Sequence, residues 1–132
     1  MEHTALIYVM VLTAAADSKM GDPELHMIGE IVRTLPVFEG YDPEMLPRTA
    51  EDCAEILAGK NGLDTVLKLV NDSLPAPLRE TAYALACDVA AADNRITQEE
   101  ARLLQMLRQS LGVDHLIGAA IERGARARFQ RI

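Results

Sequence analysis

Apolar residues recur along this chain at spacings of three and four, which is the period of an amphipathic α-helix. No segment of useful length alternates apolar and polar residues, so the pattern predicts no strands. Helix-breaking residues and capping signals divide the chain into about seven segments. These cover about residues 4–16, 22–35, 49–58, 63–74, 75–92, 97–111 and a last segment from 114 onward, the third starting after Thr49 or already at Asp42-Pro43. The sequence therefore predicts an all-α fold, with about seven short helices in a compact bundle.

The first predicted helix is apolar almost all round. From Ala5 to Ala16 the chain reads ALIYVMVLTAAA, in which only Thr13 is polar. Glu2 precedes this run and no Lys or Arg does, which is the wrong flank for a signal peptide. The run is also shorter than the roughly 20 residues that span a bilayer. We therefore expect a buried central helix and no membrane insertion.

Two later helices each present an apolar stripe, which predicts the residues that face the core. The second helix is expected to bury Leu25, Ile28, Ile31 and Leu35. The seventh is expected to bury Leu116, Ile117, Ala120 and Ile121.

Length and composition narrow the class of protein. A chain of 132 residues with 49% apolar residues fits one domain, over 1–132, with a real core. A net charge of -7 repels phosphate backbones and anionic lipid, and an aromatic content of 4% gives few platforms for base stacking. We expect no nucleic-acid partner.

Cys53 and Cys87 lie far apart without a CxxC pattern, which predicts buried thiols and a reduced, cytoplasmic setting.

A repeat becomes visible when the chain is offset by 76 residues. It relates two helix-loop-helix units, at about residues 4–35 and 78–111, from which the bundle would be built. Each unit contains Ala-Ala-Ala-Asp, an apolar residue three positions later and a Glu seven positions after the Asp. The acids are Asp17 and Glu24 in the first unit, and Asp93 and Glu100 in the second.

The spacing of these acids suits a hard cation. An Asp at the end of one helix and a Glu in the first turn of the next can face each other across a tight loop, with backbone carbonyls between them. Ca²⁺ and Mg²⁺ bind such oxygen clusters. The spacing also matches the second half of an EF-hand loop, but the first half is missing, since Thr13 and Ala15 stand where two acids are needed.

The same acids have a purely structural interpretation. Thr97 and Glu100 fit the T-x-x-E pattern of a capping box, and Asp22 can cap the second helix. Asp17 and Asp93 can organise tight turns through their own backbone. Residue types alone leave both interpretations open.

The motif Ala-Ala-Asp-x-x-Met/Ile-x-x-x-Glu, present twice in an acidic helical chain, resembles the TerB-like tellurite-resistance domain family over nearly the whole length. The resemblance implies an all-helical fold, a link to tellurite resistance and stress response, and action beside membrane-associated proteins. It also implies a metal site whose ligands are Asp17, Glu24, Asp93 and Glu100. Both loops depart from the family's usual Asp-Gly, having Asp17-Ser18 and Asp93-Asn94.

Further residues could add ligands or bind partners. Asp22, His26 and Glu30 would line one helix face, either as zinc ligands or as a solvated face with local ion pairs. Asp88 is a further candidate ligand. The C-terminal arginines could dock an acidic partner or simply complement a helix end. They are Arg123, Arg126, Arg128 and Arg131.

No sequence pattern indicates catalysis, because GxSxG, HExxH and phosphate-binding glycine loops are absent from the chain. We therefore predict a small cytoplasmic protein of stress-response type that is not an enzyme. It would bind a divalent ion (Ca²⁺, Mg²⁺ or Zn²⁺) and act on other proteins as a sensing or scaffolding module, with a homodimer left open. The alternative is a metal-free interaction module of co-chaperone type, whose acids only cap helices.

Overall fold

A computed structural model describes residues 1–16, 22–92 and 95–132 of the chain. These residues form seven α-helices, two short 3₁₀ turns (Pro36–Phe38 and Pro43–Met45) and no strand. The helices are α1 (Glu2–Ala14), α2 (Asp22–Thr34), α3 (Leu46–Ala58), α4 (Gly62–Ser73), α5 (Ala76–Ala91), α6 (Gln98–Leu111) and α7 (His115–Arg128). The predicted all-α class is confirmed.

Helix α3 begins at Leu46, between the two starting points that the sequence suggested. Pro47 lies in its first turn, where a backbone N–H has no partner within the helix and its loss costs nothing. The 3₁₀ turn just before it, Pro43–Met45, is capped by Asp42, whose side chain accepts a hydrogen bond from the backbone N–H of Glu44.

Helix α1 is the centre of the bundle. Every residue from Ala5 to Ala14 is buried, because α2, α3, α4, α5 and α6 all pack against it. A helix that is apolar on all sides has no face to present to water, so surrounding it completely is the favourable arrangement. The prediction of a buried central helix is confirmed. Among the described residues, no helix combines the length and apolar character that a membrane span requires.

The predicted inward faces of α2 and α7 are partly wrong. In α2, Ile28 and Ile31 are buried as expected, but Leu25 is 47% exposed. In α7, Leu116 is 78% exposed and Ile117 is also exposed, while the side turned inward carries Gly118 and Ala125. Helix α7 packs against α5 through these small residues, because they allow close approach of the two helices. Hydrophobic periodicity shows where the apolar residues of a helix lie. It does not show which side of that helix a neighbouring helix covers.

Both cysteines lie in the core as buried thiols, as predicted. Cys53 of α3 faces α1, where its Sγ lies 3.9 Å from the carbonyl oxygen of Tyr8. Burial raises the pKa of the Cys53 thiol to about 12. Burial likewise raises the pKa of Cys87, on α5, to about 12. Both side chains therefore act as small neutral hydrophobes near pH 7.

Candidate metal centre

Two buried glutamates stand at equivalent places in the fold. Glu24 is the third residue of α2 and Glu100 the third residue of α6, and the two helices start 76 residues apart, at 22 and 98. Their exposed fractions are 2% and 1%, which is rare for a carboxylate. The helix dipole at each N-terminus stabilises a negative charge there. The fold therefore holds one buried acid in the first turn of each helix.

One carboxylate oxygen of Glu100 is used in a capping box. The Thr97 backbone N–H donates to Oε1 of Glu100 at 3.0 Å, and the Glu100 backbone N–H donates to Oγ1 of Thr97 at 3.1 Å. These reciprocal bonds satisfy two N–H groups that the start of α6 would otherwise leave without partners. The predicted capping box is confirmed.

The second oxygen of Glu100 has a different environment. Its Oε2 is buried and has no hydrogen-bond partner in the part of the chain that the structure describes. Burying a polar atom without a hydrogen-bond partner costs on the order of 1–3 kcal/mol for a neutral group and more for a charged one. A capping box needs only one carboxylate oxygen, so capping does not account for the burial of the other. A cation beside Oε2 would compensate its charge.

The family model described as Tellurite resistance protein TerB matches residues 3–122. The chain belongs to the TerB family. The matched range contains both buried glutamates of this TerB domain and ends just before the C-terminal arginines. No curated protein and no solved structure matches the chain.

The two aspartates predicted to complete the sites of the TerB domain, Asp17 and Asp93, lie outside the described residues. Across the three described ranges, no group of three or more His, Cys, Asp or Glu side chains is placed to hold a metal ion. The described part of each unit thus contributes a single carboxylate, from Glu24 or Glu100.

The stripe of Asp22, His26 and Glu30 lies on the outer side of α2. Asp22 and His26 are exposed, and the His26 Nε2 atom is 4.0 Å from Oε1 of Glu30. Arg33 donates to the same Glu30 oxygen at 3.0 Å. This is the arrangement of a solvated helix face with local ion pairs, the alternative that the sequence left open.

Asp88 and Arg128 pair with each other. Nη2 of Arg128, the last residue of α7, donates to Oδ1 of Asp88 on α5 at 2.5 Å. The pair ties the end of α7 to α5 and gives both side chains an intramolecular role. Of the other C-terminal arginines, Arg123 and Arg131 are exposed, and Arg126 lines a groove beside α5.

Burial of the two glutamates was missed by sequence reasoning, although a signal was present. Glu24 precedes Ile28 by four residues and Ile31 by seven, the spacing of residues on one helix face. Glu100 precedes Leu104 and Leu107 by the same intervals. Since those apolar residues are buried, the glutamates lie on the core-facing side of their helices.

Proposed function

We propose that this TerB domain binds a divalent cation at the first turn of α6, through Glu100, and at the first turn of α2, through Glu24. The single observation that carries this proposal is the buried Oε2 atom of Glu100, which the capping box leaves without a partner among the described residues. Asp17, Asp93 and backbone carbonyls of the segments preceding the two helices are the proposed additional ligands.

The donor chemistry favours Ca²⁺ or Mg²⁺ over Zn²⁺. Carboxylate and carbonyl oxygens are the ligands of hard cations, whereas structural zinc sites are built from thiolates and imidazoles. The two thiols of the chain are buried and protonated, since burial raises the pKa of each to about 12. His26, the histidine nearest in sequence to Glu24, lies exposed on the outer side of α2.

Ion binding of this kind gives a route to sensing or scaffolding. A cation held by Glu100 would compensate a buried charge and tie the segment before α6 to the helix. Occupancy would then stabilise one arrangement of the two helix-loop-helix units, which a protein partner could recognise. We propose that the domain acts in this way in the cytoplasm, on other proteins and without catalysis, within the tellurite-resistance family.

A metal-free interaction module is the second candidate, and the capping box favours it. In that case Glu100 would serve only to start α6. The two candidates differ in whether Oε2 has an ionic partner.

Thermal melting in EDTA, Ca²⁺, Mg²⁺ or Zn²⁺ tests the proposal. Wild type should gain stability in Ca²⁺ or Mg²⁺, by about 2.7 kcal/mol when the free ion is at 100 times its dissociation constant. Glu100→Gln preserves the capping oxygen but removes the charge, and should lose most of this gain. Glu24→Gln and Asp17→Ala/Asp93→Ala should reduce the gain as well.

Glu99→Gln is the matched control, because Glu99 is an exposed acid in the same helical turn. It should keep the full ion-dependent gain. If wild type and Glu100→Gln respond identically to every ion, Glu100 is a capping residue only and the metal proposal fails.

A further inference from the structure

A groove runs beside α5 between α6 and α7, and we call it the α6–α7 groove. Its volume is about 590 Å³. The buried Tyr83, Cys87 and Ala91 of α5 form its floor, while Leu104 of α6 and Ala119 of α7 are part of its walls. Small-molecule sites typically measure about 300–1,000 Å³ and have mostly apolar linings with a few polar groups. The groove has the size and lining of a ligand site, and neither Glu24 nor Glu100 is among the residues that line it.

The groove is basic, although the protein is acidic. Among the described residues that line it, Arg108 and Arg126 stand against one acid, Glu122, so positive charges outnumber negative ones even without counting Arg95. The chain as a whole carries a charge of -7. A local field of the opposite sign to the rest of the molecule attracts anions to this place in particular.

Arg108 is held in place from two directions. Its Nη1 donates to the backbone carbonyl of Val113 at 3.0 Å. Its stem lies against α7, where a Cβ added at Gly118 would come within 2.7 Å of Arg108 Cδ. A guanidinium has five N–H donors, of which the bond to Val113 uses one. A guanidinium that is already held in place loses little conformational entropy when it forms a pair of hydrogen bonds to a carboxylate.

Glu122 is fixed by a hydrogen bond to the floor of the groove. The Tyr83 hydroxyl donates to Oε2 of Glu122 at 2.5 Å. Burial of Tyr83, together with this hydrogen bond, raises the pKa of the phenol, so the hydroxyl stays protonated and the bond persists.

An apolar rim completes the site. Ile96 lines the groove and is 53% exposed, and Phe129 lines it at the end of α7. Exposed apolar surface of this kind gains free energy when a hydrocarbon chain covers it.

We infer that the α6–α7 groove binds a small amphipathic carboxylate. Its hydrocarbon part lies on Leu104, Ala119 and the rim, and its carboxylate is held by Arg108 and Arg126. The excess of positive charge favours an anionic ligand, and the apolar lining favours a ligand with a hydrocarbon chain. A groove of this volume suits a small molecule better than a partner helix.

The probe is decanoate, titrated below its micelle-forming concentration into the ¹⁵N-labelled full chain in EDTA, so that metal binding does not contribute. Backbone amide shifts should change for residues that line the groove. Decanoate should bind about tenfold more tightly than decanol, since a charged hydrogen-bonded pair adds roughly that factor. Decyltrimethylammonium, which has the opposite charge, should bind more weakly than either.

Substitutions of groove residues test which side chains contact the ligand. Arg108→Gln and Arg126→Gln should each weaken decanoate binding about three- to tenfold, the loss expected for one partly exposed charge pair. Ala119→Phe fills the groove from an exposed position on α7 and should weaken binding on the order of tenfold or more. Glu122→Gln keeps the hydrogen bond to Tyr83 but removes a negative charge, and should tighten binding about two- to fivefold.

Arg123→Gln is the control, since Arg123 is an exposed arginine of α7 outside the groove lining. Its affinity for decanoate should equal that of wild type. The inference is overturned if decanol binds as tightly as decanoate, or if amide shifts change away from the groove. It is equally overturned if Arg123→Gln weakens binding as much as Arg108→Gln, or if only an acidic helical peptide binds there.

Discussion

At the scale of single residues, the two carboxylate oxygens of Glu100 have separate roles. Oε1 closes the capping box with Thr97, which is a local interaction over three residues. Oε2 is buried by the packing of α6 and is the atom on which the metal proposal depends. Because one side chain serves both, substitutions must be chosen to alter one role at a time.

Thr97→Ala tests the capping role. Loss of the Oγ1 acceptor leaves the Glu100 backbone N–H without its cap and should lower the free energy of unfolding by about 0.5–2 kcal/mol. Urea denaturation in EDTA measures this free energy without any contribution from an ion. Thr97→Ser retains the hydroxyl and should lose much less. Equal stability of the alanine and serine variants would show that the side-chain cap contributes nothing to α6.

At the scale of elements, the turn between α3 and α4 depends on close contact between two backbones. Asn61, just before α4, has a left-handed φ of 57°, which asparagine adopts more readily than most residues. A Cβ at Gly62 would lie 2.4 Å from the carbonyl oxygen of Ile56 and 2.5 Å from that of Leu57. Only glycine fits where α4 begins against the end of α3.

Gly62→Ala should therefore destabilise the protein, by about 1–3 kcal/mol, because the α3–α4 turn must open to relieve the clash. Gly29→Ala is the matched control. Gly29 lies inside α2, the nearest atoms to its added Cβ are 3.5 Å away on the Arg33 side chain, and alanine should stabilise the helix by about 0.5–1 kcal/mol. Thermal melting should therefore give a lower melting temperature than wild type for Gly62→Ala and a higher one for Gly29→Ala. A Gly62→Ala variant as stable as wild type would contradict the contact.

At the scale of the whole molecule, the core determines how stability responds to pH. Burial raises the pKa of Cys53 and Cys87 from the ordinary value of 9.0 to about 12, and it raises the pKa of Tyr83 as well. Well below pH 9 the thiols are protonated in both the folded and the unfolded chain. Between about pH 9 and 12 the unfolded chain loses these protons first, so the free energy of unfolding falls as the pH rises.

The expected result is a midpoint of urea denaturation that decreases steadily from pH 9 upward. Cys53→Ala/Cys87→Ala should be less stable than wild type at every pH, because it leaves cavities in the core. Its stability should nevertheless fall less steeply above pH 9, with Tyr8 and Tyr83, whose pKa values burial also raises, contributing to the remaining dependence. The same slope in both proteins would show that the thiols ionise as readily in the folded state as in the unfolded chain.

The helices and their ends follow from local interactions and could be predicted from the sequence alone. Apolar periodicity, prolines and capping residues specify the helices, because each depends on neighbours within a few positions along the chain. The all-round apolar character of α1 is enough to place it at the centre, and the T-x-x-E pattern is enough to start α6 at Gln98. The twice-occurring Ala-Ala-Asp motif is sufficient to suggest the TerB family, to which the chain belongs.

Which sides of the helices are covered, and which distant residues meet, depends on how the helices pack together. Leu116 is exposed because α7 packs on α5 through Gly118 and Ala125, and Asp88 meets Arg128 because the same packing brings the ends of those helices together. The basic lining of the α6–α7 groove likewise arises from contacts between helices. Side-chain burial and long-range charge pairing depend on three-dimensional packing, which periodicity along one helix does not encode.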